Sequence, residues 1–261
     1  MMKLDIVLYV LLAAAPLVFP SCSVKEDRAD CPCRLVMDFE GTDTAAVPEV
    51  QIFVSDEYGY SFTGSVAAHD FMPEYCLDVP RNEVYVNVYA GAEGVIQRDR
   101  GIIIPKGQEC PRIYMHSEKA DARCETLRSR IDMHKNHCQM SITLRKRDEL
   151  EYSLRLAGQV CGYLPDGSPA PGEFSYVPEA DASGRYTAVL PRQKDSSLML
   201  EVNDGTEVLK IFALGEYVVA GGYDWTAEEL EDVEVVIDWA QTEVSIQIKG
   251  WDWVREYEIV I

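Results

Sequence analysis

Short runs of alternating apolar and polar residues dominate this chain. Leu35, Met37 and Phe39 share one face, then Val50, Ile52 and Val54, then Tyr75, Leu77 and Val79, then Val84, Val86 and Val88. A period of two places alternate side chains on one side of a strand, so each run predicts a half-buried β-strand. Gly101-Ile102-Ile103-Ile104 stops at Pro105, and Ile113 with Met115 closes the first half. Alternation resumes at Met140, Ile142 and Leu144. It continues through Leu154, Leu156 and Val160, Phe174 and Tyr176, and Tyr186, Ala188 and Leu190. Leu198 and Leu200 lead into Asn203-Asp204-Gly205, a hairpin signal, with Leu209, Ile211 and Ala213 as the return strand. Three more runs follow: Val233, Val235 and Ile237; Val244, Ile246 and Ile248; Tyr257, Ile259 and Ile261. Asp56-Glu57-Tyr58-Gly59 and Pro105-Lys106-Gly107 read as turns between strands.

The stretch from Ser117 to Asn136 is polar and carries Glu118, Lys119, Asp121, Arg123, Glu125, Arg128, Arg130 and Asp132. It reads as a boundary region, with a last strand of the first half near Ile131. One short helix is predicted. Thr226-Ala227-Glu228-Glu229 has capping-box spacing, with Thr226 as N-cap, Glu229 three residues on and Leu230 facing the core. The strand spacing fits two β-sandwich domains of about 100 to 120 residues each.

The N-terminal pattern is different. Ile6 to Phe19 is an apolar run broken by Tyr9 and Pro16. A membrane-spanning helix needs about 20 apolar residues, so this run is short for a span and suits an export signal. Lys3 precedes it, and the small Ser21 stands just before Cys22. Phe19-Pro20-Ser21-Cys22 resembles the cleavage site of bacterial lipoproteins, in which the cysteine becomes the first residue and carries fatty-acyl chains such as palmitate. Each buried methylene contributes about 0.8 kcal/mol, so one chain holds weakly and two or more hold firmly. Lys25-Glu26-Asp27 resembles the short tag that marks surface-exposed lipoproteins of Bacteroidota.

Composition narrows the partners. The chain has 261 residues, 47% of them hydrophobic, enough for a sizeable core. Its 44 acidic and 24 basic side chains give a net charge of −20. Such a chain repels nucleic acid and anionic lipid alike, so neither is expected to hold it by charge. Setting Cys22 aside leaves Cys31, Cys33, Cys76, Cys110, Cys124, Cys138 and Cys161. This odd number leaves at least one thiol unpaired, and the spacing does not reveal a pairing. Export permits disulfides, but this density does not point to a disulfide framework.

Candidate chemistry is sparse. His134-x-x-His137-Cys138 resembles half a metal site, and Cys124 is the one further ligand type close in sequence. The spacing matches no zinc pattern, so the segment reads as a polar connector running into a strand. No nucleophile elbow, zinc-protease, P-loop, dinucleotide or calcium-loop motif occurs. The expectation is a protein without catalytic residues, metal or cofactor. Tyr223, Trp225, Trp239, Trp251 and Trp253 would either stack on sugars or plug a core.

Two regions together carry a family resemblance. The first is Cys22 with Lys25-Glu26-Asp27-Arg28 and Asp30-Cys31-Pro32-Cys33. The second runs through Leu214-Gly215-Glu216-Tyr217, Gly222-Tyr223-Asp224-Trp225, Leu230-Glu231-Asp232-Val233, Val236-Ile237-Asp238-Trp239, Val244 to Ile248 and Gly250-Trp251. Their order and spacing resemble the FimB/Mfa-type fimbrial anchor lipoproteins of Bacteroidota. The resemblance implies an all-β chain of two tandem transthyretin-like, Greek-key sandwiches. It gives residues 1–21 as signal peptide, 22–33 as lipidated tether, and 34–131 and 132–261 as the two domains. It further implies a surface-exposed outer-membrane lipoprotein, exported through the periplasm, that anchors a fimbrium, or pilus, and limits its length. The partner implied is a stalk subunit, a major or minor fimbrillin. The alternative is a surface adhesin for glycan or host protein.

Subunits of that superfamily join by strand addition, in which an extended segment completes a neighbour's sheet. A chain held by a lipid at its N-terminus cannot shed that segment without losing its anchor. It is therefore expected to keep its first strand, near Leu35 to Phe39, and to dock through its second domain. Tyr257, Ile259 and Ile261 are the candidate stalk contact; the other reading makes them an ordinary last strand.

Overall fold

The computed structural model describes residues 31–45, 47–92, 95–97, 101–145, 151–238, 243–248 and 255–258. The strands in chain order are β1 Cys33–Asp38, β2 Glu49–Asp56, β3 Ser61–Ala67, β4 Glu74–Val79, β5 Glu83–Ala90, β6 Ile96–Gln97 and β7 Gly101–Ile103. Then come β8 Tyr114–Asp121, β9 Thr126–Arg130, β10 His134–Lys135, β11 His137–Arg145, β12 Ser153–Tyr163 and β13 Pro169–Tyr176. The last are β14 Arg185–Pro191, β15 Met199–Asn203, β16 Val208–Phe212, β17 Val233–Asp238, β18 Glu243–Ile248 and β19 Arg255–Glu258. Helices Ala68–Phe71 and Leu214–Ala220 are short interruptions. The expected all-β sandwich fold is what the chain adopts.

The strands form four sheets, ordered β4-β1-β9, β10-β8-β5-β2-β3, β14-β11-β17-β18-β19 and β16-β15-β12-β7-β6, with β13 added on β12. The first two sheets close over one apolar cluster. It is built from Cys33, Leu35 and Met37 of β1, Val50, Ile52 and Val54 of β2, and Val84, Val86 and Val88 of β5. The alternating runs read from the sequence are the inward faces of these strands. The other two sheets close over a second cluster, with Met140 and Ile142, Ala188 and Leu190, and Val233, Val235 and Ile237 facing Leu154, Leu156, Leu200 and Val202.

The clusters are not insulated from each other. Phe53, Tyr89 and Met115 lie in strands of the first pair of sheets but pack into the second cluster, as do Ala92, Ile102, Ile104 and Ile113. Strand β7 pairs directly with β12, Ile103 opposite Gly162. Gly162 has φ +146°, and a Cβ there would collide with the Ile102 carbonyl, so glycine is what permits this close approach.

Three local expectations are corrected. The charged stretch from Ser117 to Asn136, expected to hold a single strand near Ile131, holds most of β8 and all of β9 and β10. Its charges decorate exposed strand faces in ion pairs such as Lys119–Glu83 at 3.2 Å and Arg128–Glu74 at 2.7 Å. Thr226 does not start a helix. Its hydroxyl donates to Asp224 Oδ1 at 2.6 Å, and the Glu229 carboxylate accepts the Lys135 amide at 2.9 Å instead of closing a capping box. The helix of this region is Leu214–Ala220, which begins without a side-chain cap.

The third correction concerns β16. The hairpin at Asn203-Asp204-Gly205 forms, and the Asp204 carboxylate accepts Thr206 Oγ1 at 2.6 Å and the amides of Thr206 and Glu207. These bonds, the Thr206 hydroxyl foremost, hold its pKa down to about 2. The β15–β16 register then shifts between Val202 and Asn203, so that Asn203 faces Val208 but Val202 faces Lys210. That bulge at Leu209 reverses the side-chain parity. Phe212 is buried, while Leu209 and Ile211, expected inside, are 39% and 53% exposed.

Candidate attachment and docking sites

Cys22, Lys25, Glu26 and Asp27 lie outside the described residues. The chain beyond them starts β1 at Cys33. That strand is the middle of its sheet, antiparallel to β4 and parallel to β9. Cys33, Leu35 and Met37 are fully buried. Both backbone edges of β1 are therefore satisfied within the chain, and no groove is left along it.

The other end is built differently. Strand β19 pairs with β18 alone, Tyr257 opposite Val244 and Arg255 opposite Ile246, and is the outermost described strand of its sheet. Ile259 and Ile261, the other two residues of the candidate stalk contact, lie outside the described residues. An edge strand offers one free row of backbone donors and acceptors, the chemistry that strand addition uses. A second edge was not anticipated from the sequence. Strand β16 ends the six-stranded sheet, and Val208, Leu209 and Ile211 stand exposed along it. The signal that would have found it is the bulge, which no residue pattern announces.

The histidine segment divides its members. His137 is buried, its Nδ1 lies 3.0 Å from the Ile113 carbonyl oxygen, and its ring meets Tyr114 edge-on at 5.4 Å. Burial lowers its pKa, so the ring stays neutral in the fold. Cys138 is fully buried, and desolvation pushes its thiol up to about 12. His134 is turned away from both, between Glu228 at 3.1 Å and Glu229 at 3.0 Å. Cys124 sits elsewhere, its Sγ 3.9 Å from that of Cys33. Among the described residues, no group of three or more His, Cys, Asp and Glu side chains is placed to hold a metal ion.

The aromatic candidates are similarly sorted. Tyr223 and Trp225 are buried and packed at 4.6 Å with a 64° angle between rings. Tyr223 donates to the Glu231 carbonyl at 2.8 Å. Arg192 closes this corner: Nη1 donates to the carbonyls of Trp225 at 2.6 Å and Ala227 at 2.7 Å, and Nε donates to Asn136 Oδ1 at 2.8 Å. These two rings are core plugs, with no face open to a sugar. Trp239, Trp251 and Trp253 lie outside the described residues. No helix of the described residues is long and apolar enough to cross a membrane.

No family model and no curated protein matches the chain. Solved structures do. The fimbrial anchor protein Mfa2 of Porphyromonas gingivalis superposes with a TM-score of 0.62 at 12% identity, over 85% of this chain and 98% of that one. A candidate polysaccharide-binding protein of Bacteroides thetaiotaomicron gives 0.60 at 13% identity, over 87% and 98%. A candidate adhesin of Bacteroides ovatus gives 0.56 at 13%, over 87% and 95%. These neighbours are fimbrial and adhesin-type proteins rather than enzymes. The expected resemblance to the FimB/Mfa-type family is thus met by the structure, and the chain has the fold of the fimbrial anchor and adhesin proteins of Porphyromonas and Bacteroides.

Proposed function

We propose that this chain is a surface-exposed lipoprotein of the outer membrane that anchors a fimbrium and limits its length by docking the stalk. The observation that carries the reading is the likeness to Mfa2 across nearly all of both chains, joined to a lipoprotein-type Cys22 ahead of the first strand. Acylation of Cys22 would supply the hold on the bilayer. Lys25, Glu26 and Asp27 would direct export to the outer surface. Residues 34–131 and 132–261 would form the two sandwich domains, with residues of the first lent to the second core. Load on the fibre would then pass through packed sheets to the lipid.

The edge at Tyr257, with Ile259 and Ile261 beyond it, is the proposed stalk contact. The polarity of the chain supports this choice: both edges of β1 are paired, whereas β19 is paired on one side among the described residues. A second reading, a surface adhesin for glycan or host protein, draws on the likeness to candidate polysaccharide-binding and adhesin proteins. It loses Tyr223 and Trp225 as binding faces, since both are buried.

Cys22→Ala separates the two. Under the anchoring reading, cells carrying it shed most of their fimbriae into the medium, measured by immunoblot of the culture supernatant. Fibres that remain on the cells at the wild-type level would contradict anchoring and favour the adhesin reading.

A further inference from the structure

Cys33 is the first residue of β1, where the tether joins the fold, and it is fully buried. Cys124 is exposed in the turn between β8 and β9. The residues are 91 apart in sequence, yet their sulfurs lie 3.9 Å from each other. The surrounding backbone is fixed. Strand β1 pairs with β9 from Arg34 opposite Thr126, and the Arg34 amide donates to the Glu125 carbonyl at 2.9 Å. The sulfurs therefore sit at the N-terminal end of the parallel β1–β9 pair, close across it. Cys124 Sγ also lies 3.3 Å from the Thr126 carbonyl and 3.9 Å from that of Asp121. Cys110 Sγ lies 3.2 Å from the Pro111 carbonyl and Cys161 Sγ 3.9 Å from those of Ala170 and Pro171, partners that are carbonyl oxygens and not a second sulfur.

We propose that Cys33 and Cys124 form a disulfide in the exported protein, bolting β1 to the rest of the first core at the point where the tether begins. The contact is already at van der Waals distance. Closing it to a bond length of about 2.05 Å asks for a small movement of an exposed turn. The oxidant is a disulfide compound of the cell envelope or, in vitro, glutathione disulfide. The exposed Cys124 thiolate attacks one sulfur of that disulfide, whose S–S bond breaks and releases one thiol. Cys33 then loses its proton, attacks Cys124 Sγ in the mixed disulfide and expels the second thiol. The two protein thiols give up two protons and two electrons in all, and the oxidant leaves as two thiols. Burial holds the Cys33 thiol up, so the exposed Cys124 is the residue that meets the oxidant, and nearness to Cys124 Sγ is what brings Cys33 into the second step.

The mechanical consequence rests on the anchoring reading. Tension on a lipidated tether enters β1 at Cys33. Without the bond it loads the β1 hydrogen bonds from their end; with it the load passes covalently into the turn at Cys124.

The test uses the full chain exported to the periplasm, trapped with a maleimide before lysis and probed by thiol counting and peptide mapping. Wild type should yield two more thiols after reduction, with Cys33 linked to Cys124. Cys33→Ser and Cys124→Ser should each abolish this gain, and Cys31→Ser should leave it. Reduction should lower the wild-type melting temperature by about 5–15 °C, and that of Cys124→Ser hardly at all. Full labelling of both residues without reduction, or a link from Cys31 to Cys124, would overturn the proposal. Since the readout needs export alone, it stands whether or not Cys22→Ala sheds fibres.

Discussion

Ending the chain at Glu258 is expected to weaken capture of the stalk subunit by about a hundredfold or more. The truncation removes Ile259 and Ile261 and leaves β19 in place. Each isoleucine buried in a partner's sheet contributes about 1.5–3 kcal/mol, and about 1.4 kcal/mol is a factor of ten in affinity. Two such losses therefore exceed two decades. The fold should not suffer. The second core is made from β11, β12, β14, β15, β17 and the buried Ile246 of β18, and Ile246 keeps its pairing with both Val235 and Arg255. Thermal unfolding and a pull-down with purified stalk subunit give the two readings. Undiminished capture would move the contact away from this end, with the exposed Val208, Leu209 and Ile211 of β16 the next edge to probe. Loss of folding would make the last residues an ordinary structural strand.

Arg192→Ala is expected to be the most damaging single change considered for stability, at about 2–4 kcal/mol. Its guanidinium is half-buried and serves a loop rather than an ion pair. It donates to Trp225, Ala227, Glu228 and Asn136, and its amide donates to the Tyr163 hydroxyl at 3.0 Å. Removing the side chain strands the half-buried carbonyls of Trp225 and Ala227 and the Asn136 side chain at the corner where Tyr223 and Trp225 plug the core. Polar groups left unmatched in a buried place cost more than the bonds were worth. For a chain of this size the melting temperature should fall by roughly 5–15 °C. Arg192→Lys should recover little, because one ammonium cannot span donors aimed at Asn136 and at Trp225 together. A variant melting within about 2 °C of wild type would mean that solvent replaces these bonds without loss.

Much of this architecture was legible because one period dominates. Val84, Val86 and Val88, or Val233, Val235 and Ile237, state their strand and its inward face without help from the rest of the chain. What escaped was set by contacts. Strand β3, Ser61–Ala67, carries little alternation and is held by its ladder with β2. Strand β8 is hard to see inside a charged stretch where one strand near Ile131 was expected, because its outward residues outnumber its apolar ones. The parity of β16 depends on one bulged residue. Thr226 and Glu229 have capping-box spacing, yet each bonds a partner that the fold delivers: Asp224 in one case, His134 and Lys135 in the other.

The sites follow the same division. The proposed acylation at Cys22 and the proposed tag after it are linear signals, so sequence alone suggests them. Strand-edge chemistry is readable only in part. The last run marks a strand, but sequence does not say that β19 is the outermost described strand of its sheet. The approach of Cys33 to Cys124 is invisible before folding, since 91 residues separate them and the parallel β1–β9 pairing alone brings them together.

The most direct measurement is the mass of the mature protein extracted from outer membranes. A polypeptide beginning at Cys22, heavier than its amino acids by a diacylglyceryl group and a further acyl chain, is the expected result. A chain ending in an ordinary free amino terminus with no acyl mass would contradict anchoring through lipid, whatever the fold resembles.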